Sequence, residues 1–142
     1  MEQKREWTIG ASVLRFEPPD LVWADFRGTL TVEDIARMMD VYRELNRSGP
    51  FFMVADLRAL GSISEEVQRY FSENVDSKWI HAVIYVGARL VQKAAVKGLL
   101  VASWLLGRTE KSELSKIHFA STHAQALELL ARLRTQHTSK VA

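Results

Sequence analysis

Residues 51–66 read Phe-Phe-Met-Val-Ala-Asp-Leu-Arg-Ala-Leu-Gly-Ser-Ile-Ser-Glu-Glu, an unbroken apolar run that ends in Asp56 and gives way to a Gly/Ser loop and a helix start. A strand without polar alternation is buried on both faces, as in a parallel sheet covered by helices. In such sheets binding and regulation gather in the loops after the carboxyl ends of the strands. Here that loop is predicted to run from Leu57 to Ser64.

The flanking sequence fits the same layered arrangement. Trp7–Phe16 and Leu21–Gly28 are predicted as two strands of an antiparallel hairpin, joined by Glu17-Pro-Pro-Asp20, because Pro-Pro cannot continue a ladder. In the second strand Val22, Ala24 and Phe26 share one face, predicted to be the core face, while Leu21, Trp23, Asp25 and Arg27 share the other. Thr31-Val-Glu-Asp34 is the pattern of a capping box, and Ile35, Met38, Met39, Tyr42 and Leu45 then recur at helical spacing up to Ser48-Gly-Pro50. Ser62-Ile-Ser-Glu65 starts a second helix with Val67, Tyr70, Phe71 and Val75 along one stripe. A further buried strand follows at Ile80–Val86. Residues 89–106 are the most apolar helix, with Leu99 and Trp104 among residues that surround it on nearly every side. Ile117–Ala120 is a short last strand, and Thr122-His-Ala-Gln125 opens a final helix. The predicted order is β-β-α-β-α-β-α-β-α: a single α/β domain over residues 1–142, with a mixed, mostly parallel sheet covered by helices.

Composition narrows the function classes. The 142 residues include no cysteine, which excludes disulfides, thiol catalysis and Cys-based zinc sites. No apolar run is long enough to span a bilayer and no leader follows the charged amino terminus, so the expected location is cytoplasmic. Residues 1–76 hold 9 Lys/Arg against 14 Asp/Glu, and residues 77–142 hold 10 against 3, so the net +2 hides an acidic first half and a basic second half. Interleaved in one domain these charges mix on the surface, and no basic-aromatic pattern of a nucleic-acid reader is present.

The element order, together with Arg27-Gly-Thr-Leu-Thr-Val-Glu-Asp34, the 51–66 segment and Phe119-Ala-Ser-Thr-His-Ala-Gln-Ala-Leu-Glu-Leu-Leu130, resembles the STAS superfamily of anti-sigma-factor antagonists. It is most similar to the SpoIIAA-like branch, a fold also compared with CRAL-TRIO lipid-binding domains. The resemblance covers nearly the whole chain. It implies a non-catalytic regulatory module that binds a protein partner, such as a kinase or signalling protein. Phosphorylatable members carry Asp-Ser at the start of the helix after the central strand, and counting from Asp56 these places fall on Ser64 and Glu65. The acceptor serine is missing, and a glutamate stands where a phosphoserine would put its charge.

Two sets of residues are therefore singled out. Arg58, Ser62, Ser64, Arg89 and Thr122 are placed at the rim of the sheet, where helix starts and guanidinium groups favour an anion. Leu60, Ile63, Glu65, Leu99 and Trp104 are expected to meet a partner, the last two in a homodimer. The alternative is a lipid or small acidic ligand held by the apolar helix with Arg58 or Arg89 at the mouth. His81, His118, His123 and His137 are scattered, and none has an acidic residue at metal-ligand spacing. Ser62, His123 and Asp56 can be written as a hydrolase triad, but no Gly-x-Ser-x-Gly elbow supports it, and Asp56 is expected to accept hydrogen bonds from backbone or arginine. The sequence predicts no catalytic residue, no metal and no cofactor.

Overall fold

The computed structural model describes residues 4–89, 92–93 and 116–141. Its strands are β1 (Arg5–Ile9), β2 (Ser12–Glu17), β3 (Leu21–Gly28), β4 (Phe51–Leu60), β5 (Ile80–Val86) and β6 (Ile117–Ala120). The helices among the described residues are α1 (Val32–Asn46), α2 (Glu65–Asn74) and α3 (His123–Val141), with a short 3-10 turn at Ser77–Trp79. All six strands form one sheet in sequential order. β1–β2 and β2–β3 pair antiparallel, whereas β3–β4, β4–β5 and β5–β6 pair parallel. The chain is thus α/β with a mixed, mostly parallel sheet.

The predicted strand Trp7–Phe16 is in fact two strands. Gly10 takes φ +60°, and with Ala11 it makes the turn between Ile9 and Ser12, which pair across it. Glycine adopts that conformation without the Cβ clash other residues meet. A shift of parity marks the turn: Ile9 is buried, and so are Ser12, Leu14 and Phe16, an even set after an odd one. Ser12 is a fully buried hydroxyl whose Oγ accepts a hydrogen bond from the Arg27 backbone N–H at 3.0 Å. That donor lies beside the register shift between Asp25 and Arg27, where the β3–β4 ladder is interrupted.

β4 lies between β3 and β5, and Phe51 to Ala55 are all buried. Phe51, Met53, Ala55 and Leu57 enter the main core with α1 and Val67 of α2, while Phe52 and Val54 enter a second core with Ala126 and Leu130 of α3. The strand is sandwiched by helices, as its unbroken apolar run predicts. Strands laid in sequential order with right-handed crossovers place their helices on one face, and α1 and α2 share the main core accordingly. α3 follows the last strand and packs on the opposite face. Burial of each large side chain in these two layers contributes roughly 1.5–3 kcal/mol.

β4 runs on to Leu60, four residues beyond Asp56, which shortens the following loop to residues 61–64. The predicted helix over 89–106 lies largely outside the described residues. No helix among those described is long and apolar enough to cross a membrane.

Candidate functional site

At the carboxyl ends of the parallel strands, β3 and β4 carry the same short pattern: Asp25-Phe-Arg27 beside Asp56-Leu-Arg58, with Asp25 paired to Asp56 and Arg27 shifted to pair with Ala59. Each arginine reaches back to the aspartate two residues earlier. Arg27 donates from Nε and Nη2 to Asp25 Oδ2 at 3.1 and 2.7 Å. Arg58 donates from Nε at 3.1 and 3.2 Å and from Nη2 at 2.7 Å to Asp56, and its backbone N–H donates to Asp56 Oδ1 at 3.0 Å. Side chains two apart on a strand point to the same face, which makes these closures local.

Asp56 also meets the first residue of α3. His123 Nε2 lies 3.1 Å from Asp56 Oδ2. The carboxylate is 15% exposed, against 56% for Arg58 and 44% for His123. The Arg58 side chain holds the Asp56 carboxyl well below the usual carboxylate range, burial opposes this, and the Arg58 backbone N–H and His123 add to the lowering. Trp23, on the same face of β3, stacks on the His123 ring with centroids 5.6 Å apart, and Arg15 lies over Trp23 at 5.8 Å. The stem of Arg58 crosses Gly87 at the end of β5, so a Cβ there would overlap Arg58 Cγ; Gly87 also has φ +68°. The result is a charge-balanced clip joining β4 to the start of α3.

The predicted residues divide by what they touch. Arg58 is closed on Asp56. Arg89 donates from Nη2 to the Leu60 carbonyl at 3.1 Å, tying the turn after β5 to the end of β4. Ser64 caps α2 by accepting from the Val67 N–H at 3.2 Å, and Thr122 accepts from the Gln125 N–H at 3.1 Å. The Gln125 side chain reaches back to the Ser121 N–H rather than to Thr122, one residue off the expected box. Ser62 is exposed and makes no hydrogen bond to His123 among the described residues, so the structure joins Asp56 to His123 but completes no nucleophilic triad. Leu60 is a correction: it is buried in the main core and offers no surface to a partner. Ile63 is half-buried against that core, and its carbonyl accepts from Gln68 Nε2 at 3.1 Å. Glu65 is exposed in the first turn of α2 with Glu66. Leu99 and Trp104 lie outside the described residues.

Sequence reasoning places Trp23 and Asp25 on the face away from the main core without giving them a role. The repeat of Asp-x-Arg at 25–27 and 56–58 is the signal that finds the twin clips. Among the described residues no group of three or more His, Asp or Glu could hold a metal ion. No protein-family model matches the chain, and no curated protein matches it either.

Proposed function

We propose that the chain is a non-catalytic, STAS-like regulatory module of the SpoIIAA-like kind that binds a protein partner through the amino-terminal half of α2. The observation that carries this reading is how α2 is presented. It starts four residues after the central strand, is capped by Ser64, shows Glu65 and Glu66 to solvent, and buries only Val67 fully. Carboxylates in a helix's first turn complement its partial positive charge, so this acidic end is stable as it stands. Ser64 is already occupied as a cap, and Glu65 supplies a permanent charge where phosphorylatable relatives of this kind would acquire one. Partner binding of this design needs no kinase to charge the helix start, and the partner that suits it presents a basic surface. Self-association through Leu99 and Trp104 belongs to the same proposal.

A lipid or small acidic ligand draws less support. The Nε and Nη2 donors of Arg58 are held by Asp56, and Arg89 donates to a carbonyl. Capture from native lysate on immobilised protein, run beside the double variant Glu65→Lys/Glu66→Lys, tests the proposal. A protein retained by the native chain and lost from a folded double variant is the expected result. Equal retention by both would contradict it.

A further inference from the structure

Histidines hold α3 to the sheet at two places. At its first residue His123 meets Asp56. Near the far end His137 packs against His81 of β5, with ring centroids 4.1 Å apart and planes at 49°. Phe52 completes the cluster, 4.9 Å from His81 and 6.1 Å edge-on from His137. His81 is the extra residue in β5, because Phe51 pairs with Ile80 and Phe52 with Ala82. A bulge of this sort re-aims a side chain, and here the side chain meets α3.

The charges around this pair are mostly of one sign. Arg134 of α3 lies over the Phe52 ring at 5.7 Å and pairs with Asp20 of the β2–β3 turn at 2.5 Å. Lys116, just before β6, places a second cation within electrostatic reach of His81. Asp20 is the carboxylate that opposes them, and Arg134 already holds it. A proton added to His81 therefore arrives beside the tilted His137 ring, with Lys116 within electrostatic reach.

We propose that the His81–His137 contact is an acid-sensitive latch that frees the carboxyl-terminal half of α3 from the sheet while the amino-terminal end stays pinned to Asp56. Neutral imidazoles tolerate ring contact, and two imidazolium ions repel. Burial pushes His81 below the ordinary imidazole range, and His137 pushes in the same direction. The sign follows from linkage: the detached state takes up the proton more readily, so the contact is intact above about pH 6.5 and is lost as pH falls through the lower value of the docked state. The other end behaves differently. An imidazole N–H donates to a carboxylate whether the ring is neutral or charged, and Asp56 stays ionised throughout this window because Arg58 keeps its carboxyl far below it.

Amide hydrogen exchange on the full chain at about pH 7.5 and about pH 5.5, corrected for intrinsic rates, reads both ends at once. Expected is a loss of protection approaching tenfold over residues 131–137, the ceiling for one proton per pH unit, with residues 123–130 unchanged. His81→Gln should remove the pH dependence at the far end, and His137→Gln should reduce it. Proton NMR titration of His81 in the native chain gives a test free of variants: it should titrate below the ordinary imidazole range. Equal protection over 131–137 at both pH values, a uniform loss along α3, or an ordinary His81 titration would overturn the latch.

Discussion

α1 and α2 lie on the same face of the sheet, yet they are built to different standards. α1 buries Ile35, Met38, Met39, Val41, Tyr42 and Leu45 and starts with a complete capping box, in which the Asp34 N–H donates to Thr31 Oγ1 and the Asp34 carboxylate accepts from the Thr31 N–H. α2 fully buries Val67 alone, leans on the core through half-buried Tyr70 and Phe71, and has just the Ser64 half of its cap. α1 is thus scaffold, whereas α2, which exposes Glu65, Glu66, Arg69 and Glu73 near the carboxyl end of the central strand, is the helix we propose for a partner.

Truncation in the core separates the two helices most strongly. Met38→Ala, at a site 1% exposed, should cost about 2–5 kcal/mol, read as a lower denaturant midpoint at unchanged slope. Val67→Ala, on the thinner helix, should cost about 1–2 kcal/mol by the same measurement. If the two losses were equal, α2 would be scaffold as well. The clip that holds α3 on the opposite face gives an intermediate case. Asp56→Asn should cost about 1 kcal/mol, since exposed Arg58 is screened by water. Because the folded-state pKa of Asp56 is depressed, its contribution is present above the ordinary carboxylate value of about 4 and fades as pH falls below it. The variant should therefore lose part of the native chain's acid sensitivity in a pH series of thermal melts. At the caps, Thr31→Ala should cost about 1 kcal/mol and Ser64→Ala about half of that, because the Thr31 box satisfies donors in both directions. Glu65→Lys/Glu66→Lys should cost less than about 1 kcal/mol, through lost interaction with the helix dipole, read as a lower melting midpoint.

Much of the scaffold was legible because its signals are local. The apolar run at 51–55 identifies a strand buried on both faces, and Thr31 announces its helix three residues ahead of the amide it caps, whereas the Ser62–Glu65 pattern finds the second helix but the cap itself falls on Ser64. The break at Gly10 was legible in principle, since Ile9 and Ser12 cannot point inward from one continuous strand. The end of β4 was not: Arg58 and Ala59 are exposed and look like loop, while Leu57 and Leu60 remain in the core and the ladder continues to Leu60. The Asp56–His123 contact joins residues 67 apart in the chain, so no spacing rule could reveal it. The His81–His137 contact likewise depends on a bulge and on the face α3 chooses, both set by tertiary packing.

The claim that α2 is the presented surface is tested most directly by site-specific photocrosslinking. A photoreactive residue at Arg69 on the exposed side of α2 should yield a discrete protein adduct in native lysate, and the same residue at exposed Arg132 on α3 should not. An adduct formed from Arg132 and absent from Arg69 would contradict the account and move the docking surface to the opposite side of the sheet.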